Sequence, residues 1–376
     1  MVEDVIDALS QGVNVHVLAS SATAGFHKGA ITDLPAIARQ LGVRYLLEGN
    51  VRRAGANLRV TSQLVDAASS AILWTQKFER ALSELAALQE DLVLEVAANL
   101  DAQVYRIEME RALKKPADLT AWEAVMRSIA AYRRVDGESF LRAVEEAKRA
   151  LSIAPDYGLA HAMFAFASSM VYCFLSPDNI DEVRRIRGHV DRALALDPNN
   201  ASVLAYAACA LSVIGQPEEA YRHAERAVQL SPSAGWAHLA WGVACCMLNC
   251  CDEAMQHLDA ELRVSPGSKM RYISYGWKTV AHMSAGRWYE ATMTAEQALV
   301  LEPNYAHGCA LKGIACSHEG YPDEARRMMA RAREIEPRMT LALWELIWRR
   351  LFARSLLLEE VLFHFQKAWA ATGIAA

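Results

Sequence analysis

The chain lacks an excess of charge of either sign. Charged residues make up 22% of its 376 positions, and 39 Lys and Arg stand against 44 Asp and Glu, for a formal net charge of −5. A nucleic-acid-binding protein usually presents a basic surface, so this balance argues against a nucleic-acid partner. Hydrophobic residues reach 53%, which is enough for a sizeable core and argues against disorder.

Catalytic and targeting motifs are also missing. The sequence contains no Walker-type phosphate loop, no Gly-x-Gly-x-x-Gly, no His-Glu-x-x-His and no Gly-x-Ser-x-Gly. Its acidic start lacks the basic-then-apolar order of a secretory signal, and no uncharged apolar stretch is apparent that is long enough to predict a membrane span. We therefore expect a cytoplasmic protein that is not an enzyme and holds no cofactor or metal ion.

Cysteine is absent from the chain before Cys173, and all eight cysteines lie from that position onward. Most fall on apolar faces of predicted helices, as is typical of small buried side chains in a reducing compartment. Cys245-Cys246 and Cys250-Cys251 form one cluster. Thiolates are zinc ligands, but adjacent cysteines point to different sides of a helix, so packing is the favoured interpretation and a metal or redox role stays open. The histidines are scattered, and none stands out as paired with a cysteine or a carboxylate.

Proline recurs with a period in the last two-thirds of the chain. Six prolines each end a similar short segment, which begins with alanine in five cases and with Glu261 in the fourth. We call these segments the proline motifs. Proline lacks an N–H and ends a helix, and the alanine five residues earlier is small enough for two helices to cross closely. The six prolines are Pro155, Pro198, Pro232, Pro266, Pro303 and Pro337.

A second set of small residues strengthens this pattern. Alanine precedes five of the prolines by twelve residues, at Ala143, Ala220, Ala254, Ala291 and Ala325, and glycine occupies a small-residue position at Gly242 and Gly313. With its period of about 34 residues, the segment from 120 to 337 resembles the tetratricopeptide repeat (TPR) family of helix–turn–helix repeats. The interval from Pro155 to Pro198 is longer than that period and implies a longer turn between its two helices.

The part of the chain up to Pro116 follows other periods. A short helix over 3–11, a strand over 13–17 and a helix from about 32 to 42 are predicted, followed by three antiparallel strands over 43–53, 58–66 and 71–79 with one buried face. A long apolar stripe from Leu85 to Ile107 then predicts a helix that ends near Lys114-Lys115-Pro116. The residues expected on one face of the three strands are Tyr45, Leu47, Val51, Leu58, Val60, Leu64, Ile72, Trp74 and Phe78.

Three motifs in this region carry a second resemblance. The segments 41–53 (LGVRYLLEGNVRR), 58–67 (LRVTSQLVDA) and 73–80 (LWTQKFER) resemble the TolB-like domain. That domain precedes a TPR region and follows an effector in bacterial class III adenylate cyclase-like and winged-helix regulator proteins. In this sequence we expect the effector and the domain's first strand to be absent, because Met1 falls about where the first helix begins. Loss of that part and a misplaced gene start both stay open.

Together the patterns predict an α+β domain followed by an all-α TPR superhelix. We expect a TolB-like domain over 1–80, a connecting helix over 81–116, about six repeats over 117–340 and capping helices over 341–376. Aromatic side chains are frequent in that last segment, which favours a surface for self-association or a partner. They are Trp344, Trp348, Phe352, Phe363, Phe365 and Trp369.

The resemblance to TPR proteins also implies a binding groove, because the first helix of each repeat lines the concave face in that family. The positions that match the usual groove offsets are small or apolar, so they favour an apolar helix, from a protein or peptide partner or from this chain itself. Packing between neighbouring helices is the alternative interpretation. The predicted groove residues are Ser202, Ala205, Cys209, Trp236, Leu239, Val243, Ile273, Trp277, Val280, His307, Ala310 and Ile314.

The function that these patterns favour is that of a non-catalytic scaffold for protein interaction or signal sensing, the regulatory part of a bacterial signalling protein. Two alternatives stay open. One is the regulatory remnant of an adenylate cyclase in cyclic AMP signalling, whose catalytic domain is missing. The other is a fragment of a transcriptional regulator.

Overall fold

The structure is a computed structural model. It describes residues 4–6, 17–23, 34–67, 69–81, separate positions between 93 and 112, and then 120–133, 136–175, 179–266 and 268–373. The chain divides into two compact units, Met1–Val104 and Tyr105–Ala376, here called the sheet unit and the helical unit. Most of the predicted helix over 3–11 and strand over 13–17 lies outside the described residues.

The sheet unit contains the predicted antiparallel meander. Helices α1 (Ser20–Thr23) and α2 (Leu34–Leu41) come before the strands β1 (Tyr45–Ala54), β2 (Asn57–Asp66) and β3 (Ala71–Ala81). The strands pair in the order β1-β2-β3, and both pairs are antiparallel. Gly55, at φ 63°, provides the left-handed residue of the first turn.

Burial in the sheet is concentrated on its central strand. Val60 and Leu64 of β2 and Phe78 of β3 are each only 3% exposed. Leu47 and Val51 of β1 lie opposite Leu64 and Val60, but they are 41% and 46% exposed. The prediction of one buried face therefore holds for β2 and is wrong for these two residues of β1, which pairs with β2 alone among the described strands.

A register shift changes the position of one further residue. The β2–β3 pairing is irregular between Leu64 and Val65, so that Ile72 lies opposite Val65 and is 59% exposed. An irregularity of this kind turns the side chains beyond it to the other face. Ile72 therefore does not share the buried face with Phe78.

Helical backbone is present at the described positions between 93 and 112. Val96, Leu100, Val104 and Ile107 are buried, as the apolar stripe predicts. The first part of that stripe, from Leu85 to Leu92, lies outside the described residues.

The helical unit is built from consecutive pairs of helices. Each pair joins a first helix to a second helix, and we number the helices in chain order. In the long repeat between Pro155 and Pro198 the two helices have 18 and 17 residues, against 13 and 14 in the next repeat, so most of the extra length lies in the helices and the prediction that it lies in a longer turn is wrong. The pairs are α3 (Ala121–Tyr132) with α4 (Gly137–Ile153), α5 (Gly158–Leu175) with α6 (Ile180–Leu196), α7 (Ala201–Val213) with α8 (Pro217–Leu230), α9 (Gly235–Met247) with α10 (Cys251–Val264), α11 (Arg271–Ser284) with α12 (Trp288–Leu301), α13 (Ala306–His318) with α14 (Pro322–Ile335), and α15 (Leu341–Leu351) with α16 (Leu358–Ala370).

Local sequence explains where these helices begin and end. Thr120 and Glu123 form a capping box at the start of α3, and Asn200 caps α7. Four first helices are followed, two positions beyond their last residue, by a residue with positive φ, which closes the last turn in a left-handed cap. These residues are Gly215, Asn249, Gly286 and Gly320.

The small residues of the proline motifs lie where the helices cross. The alanine that begins a proline motif is fully buried in all five cases: Ala150, Ala193, Ala227, Ala298 and Ala332. A Cβ atom added to Gly242 would lie 2.7 Å from Leu258 Cγ, and one added to Gly313 would lie 3.2 Å from the carbonyl oxygen of Ala325. The first and second helices of a repeat therefore approach so closely that a methyl group is too large at Gly242.

The first helices form the inner layer of the array. Each packs against the first helix of the next pair from α3 through α13, whereas consecutive second helices make no comparable contact among the described residues. This is the arrangement of a TPR superhelix, and the fold class predicted from the sequence is confirmed: a small antiparallel sheet followed by TPR-like helical repeats.

The superhelix curls until distant repeats touch. The Tyr272 hydroxyl on α11 donates a hydrogen bond to the carbonyl oxygen of Arg133, at the end of α3, over 3.3 Å. A Cβ atom on Gly137 would lie 3.1 Å from Leu175 Cδ2 and 3.4 Å from a guanidinium nitrogen of Arg338. The first pair of helices thus meets the fifth pair and the residues that follow the sixth.

One inner helix corrects an expectation. Helix α5, Gly158–Leu175, has 18 residues and is apolar enough by length and composition to cross a membrane. The prediction that the sequence holds no such stretch is therefore wrong. Most of this helix is buried in the array, where Phe164 and Phe166 pack in the core. A helix that is buried on nearly all sides in a protein core has the same composition as a membrane span.

The last pair of helices uses its aromatic residues internally. Trp344, Trp348, Phe352, Phe365 and Trp369 are all buried, and Phe363 alone among the six is exposed, at 59%. The interpretation of these aromatics as an outer surface is therefore wrong for five of them. Helix α16 packs on α13 and α14, in the place that the first helix of a further repeat would take, and α15 lies against the inner layer.

The crossing distances predict opposite effects for one substitution at two glycines. Gly242→Ala should lower the free energy of unfolding by about 1–2 kcal/mol, because the added methyl overlaps Leu258. Gly188→Ala, in α6, should raise it by about 0.5–1 kcal/mol, because nothing lies within 4 Å of its Cβ position and alanine favours a helix. Urea unfolding followed by circular dichroism measures both. Equal effects at the two sites would contradict the close approach.

Candidate interaction groove

The twelve predicted groove residues all lie on first helices of the inner layer, and none is exposed. Ser202, Trp236, Trp277 and His307 are half-buried. The other eight are buried: Ala205, Cys209, Leu239, Val243, Ile273, Val280, Ala310 and Ile314. Their assignment to a partner groove stays a prediction, but what they contact in this structure can be stated.

Aromatic rings fill the inner layer of the first four pairs. The Tyr132 and Phe166 ring centroids are 4.7 Å apart, Phe166 and Tyr206 are 5.5 Å apart, and Tyr206 and Trp236 are 5.2 Å apart. Trp236 also reaches Tyr132 at 6.1 Å, across three pairs. Burial raises the pKa of Tyr132 well above its ordinary value, so its hydroxyl stays neutral. These rings join α3, α5, α7 and α9 into one cluster.

Helix α15 occupies the inner face farther along the array. Its Trp344 ring centroid lies 4.6 Å from that of His307 on α13, and Trp348 stacks on Trp344 at 5.2 Å. Phe174 on α5 approaches the same His307 ring at 4.7 Å. A helix of this chain therefore contacts His307, one of the twelve predicted groove residues.

Two arginines fix the C-terminal end of α15 to distant repeats. Arg350 donates a hydrogen bond to the Tyr172 hydroxyl of α5 over 3.1 Å, and its guanidinium lies 4.9 Å from the centre of that ring. Arg354, just after the helix, forms an ion pair with Glu218 of α8. Since α15 also contacts α9, it spans the second, fourth and sixth pairs.

The surroundings of His307 on the inner face are apolar. Burial lowers the pKa of His307 to about 3, so the ring is neutral at physiological pH and packs as an aromatic residue. Trp344 and Ile347 are buried beside it. Sequence reasoning assigned His307 to the groove and Trp344 and Trp348 to a surface for a partner or self-association, but it did not bring the two sets together.

The cysteine cluster does not converge on one point. Cys246 Sγ faces the Trp277 carbonyl at 3.6 Å, whereas Cys251 Sγ faces Asn249. Burial raises the pKa of both Cys245 and Cys246, which disfavours the thiolates that bind metals. No metal-ligating group that includes these sulfurs occurs among the described residues. The geometry therefore agrees with the packing interpretation.

Glu261, the residue that breaks the alanine pattern, is a buried carboxyl group. It is 6% exposed and accepts a hydrogen bond from Ser274 of α11 over 2.7 Å. Burial raises its pKa to about 7, although the Ser274 hydrogen bond and Arg271 act in the opposite direction. We therefore expect the junction between the fourth and fifth pairs to respond to pH near neutrality.

Comparison with known proteins gives one sequence relative. No protein-family model matches the chain. The chain is 27% identical over 223 residues to "Putative adenylate cyclase 3" of Rhizobium meliloti (strain 1021), a match that covers 58% of this chain and 38% of that protein. The chain therefore spans well under half the length of this relative.

Several solved structures are similar to parts of this chain. A crystal structure of MamA is 23% identical and covers 43% of this chain and 96% of that one, with a TM-score of 0.35. TTC0263, a thermophilic TPR protein of Thermus thermophilus, is 19% identical and covers 46% and 92%, with a TM-score of 0.39. The Cut9–Hcn1 hetero-tetramer is 13% identical and covers 73% and 48%, with a TM-score of 0.45.

The buried carboxyl group predicts a pH-dependent effect of Glu261→Gln. The folded chain keeps the Glu261 proton up to about pH 7, whereas the unfolded chain releases it near its usual value of 4.5. Stability from this group is therefore complete in acid and is lost as the pH rises through 7. Near pH 8 the variant should exceed the parent by about 1–3 kcal/mol in free energy of unfolding, and near pH 5 the two should be about equal.

The control for this experiment is Asp323→Asn, because the Asp323 side chain is 97% exposed. Its effect on urea unfolding should be the same at both pH values. A Glu261→Gln effect that does not change between them would show that the carboxyl group titrates in its ordinary range.

Proposed function

We propose that this chain is a non-catalytic protein-interaction scaffold whose inner face binds an apolar helix. The observation that carries the proposal is the position of α15, whose Trp344 packs on His307 in the predicted groove. Helix-in-groove recognition uses apolar residues spaced along one helix face, and Trp344, Ile347 and Trp348 have that spacing and are buried. In this state the occupant is the chain's own helix, which a partner helix would displace.

The latch residues, Arg350 and Arg354, support reversible occupation of the groove. Arg350 holds Tyr172, and Arg354 holds Glu218 at a position where both side chains are about half exposed. Exposed ion pairs contribute little to stability, so the Arg354–Glu218 pair adds little to the free energy that holds the C-terminal end of α15 in place. A partner helix that buries a comparable apolar face would then compete with α15.

We infer further that the chain is the regulatory part of a bacterial signalling protein. The three strands carry the TolB-like motifs, and the repeats follow them as they do in adenylate cyclase-like and winged-helix regulators. The similarity to "Putative adenylate cyclase 3" covers only part of that protein, so the regulatory remnant of a cyclase ranks second to the scaffold. The cytoplasm suits the eight free cysteines, which would persist as thiols there.

A labelled peptide of residues 338–354 tests the groove in the full chain. Arg350→Ala combined with Arg354→Ala should release α15 and raise the affinity for the added peptide by about tenfold or more, because the competing helix is held less tightly. Fluorescence anisotropy measures the binding. Arg349→Ala is the matched control, since Arg349 lies on the same helix but pairs with Glu359 at the surface.

A peptide in which both tryptophans are alanine should fail to bind any of these variants. Equal affinity of the double variant and the Arg349→Ala control would contradict displacement of α15. Binding that survives the loss of both tryptophans would contradict recognition by the groove. Circular dichroism confirms that each variant keeps its helices.

A further inference from the structure

Two histidines and a glutamate meet where the last helix covers the sixth repeat. His318 is the final residue of α13, and Glu360 and His364 lie one turn apart on α16. One ligand atom from each of the three side chains lies within 4.8 Å of the other two. Each of the three residues is half-buried, so that solvent reaches the site.

Neighbouring side chains orient the two imidazole rings. Trp288 stacks on the His318 ring with centroids 4.1 Å apart and an interplanar angle of 11°. The hydroxyl of Ser317 lies 3.2 Å from His364 Nδ1. A stacked indole and a hydrogen-bonded hydroxyl limit the rotation of metal-ligating histidines in the manner of outer-shell groups. The rings are therefore held in place before any ligand binds.

We propose that His318, Glu360 and His364 form a binding site for a divalent transition-metal cation, with zinc as the metal that this ligand set suits best. Two imidazoles and one carboxylate, with a fourth position open to water, are a recurring set of zinc ligands. Tetrahedral ligands at zinc bond lengths are separated by about 3.3 Å. His318 Nε2 and Glu360 Oε1 are 2.9 Å apart, so small side-chain shifts bring the three ligands to a cation.

Two other pairs of neighbouring histidines in the helical unit serve as a comparison for this cluster. His161 and His189 approach within 2.9 Å through their Nδ1 atoms, and His238 and His257 within 3.2 Å. The first ring of each pair uses its Nε2 atom to hydrogen bond a proline carbonyl. Neither pair belongs to a group of three ligands among the described residues, whereas the third cluster has a carboxylate facing both rings.

A cation at this site would join α13 to α16. In the metal-free chain, the His318 Nε2–H donates its hydrogen bond to Glu360. The cation takes the place of that proton and bonds to both groups and to His364. Metal binding would therefore fix the closing helix to the last repeat and stabilise the folded chain by mass action.

Cobalt(II) added to the reduced full chain tests the site by absorption spectroscopy. We expect one tetrahedral ion per chain, with visible ligand-field bands and no sulfur-to-cobalt charge-transfer band, and we expect zinc to displace it. Glu360→Gln and His364→Gln should each weaken the binding by about tenfold or more, since the loss of an outer-shell group alone costs that much. His257→Gln, in a pair without a carboxylate, should leave the affinity unchanged.

Thermal unfolding with and without zinc gives a second readout. Zinc should raise the melting temperature of the parent chain and of His257→Gln, but not that of Glu360→Gln or His364→Gln. A sulfur-to-cobalt band with undiminished affinity in these last two variants would assign the metal to the cysteines and overturn the proposal. So would the absence of saturable binding at submillimolar metal.

Discussion

The close approach of helix backbones at small residues is the constraint on which the helical unit depends. Ala227 and its counterparts are fully buried at the crossings, and the Cβ position of Gly242 is already filled by Leu258. Because these sites admit no larger side chain, each second helix lies at a fixed distance from its partner. The regular curl of the inner layer follows from that spacing, since first helices contact one another where second helices do not.

The superhelix curls so tightly that aromatic side chains of the chain itself fill its inner face. Tyr132 reaches Trp236 across three pairs of helices, and Trp344 fills the space beside His307. Protein interiors pack to the density of organic crystals. In this chain, the apolar space beside His307 is filled by the Trp344 side chain. The chain supplies α15 for that purpose, and the neutral His307 ring adds no charge to oppose it.

Sequence alone was sufficient for elements that depend on local chemistry. The proline motifs predicted the ends of the second helices. The alternation of apolar residues such as Val60 and Leu64 with polar ones predicted the central strand. It was insufficient where distant segments meet. Nothing within β1 shows that Leu47 lies at an edge, and Trp344 has the same apolar period whether it faces solvent, a partner or an inner groove. Glu360 and His364 are four residues apart, but His318 joins them only in three dimensions.

Contact between the first pair of helices and the end of the sixth sets this array apart from open solenoids. A solenoid in which each repeat touches only its neighbours can lengthen by duplication, because a new unit adds one more interface of the same kind. Here an inserted unit would separate Tyr272 from Arg133 and Arg338 from Gly137. The number of repeats between these pairs is therefore tied to the contacts that close the array.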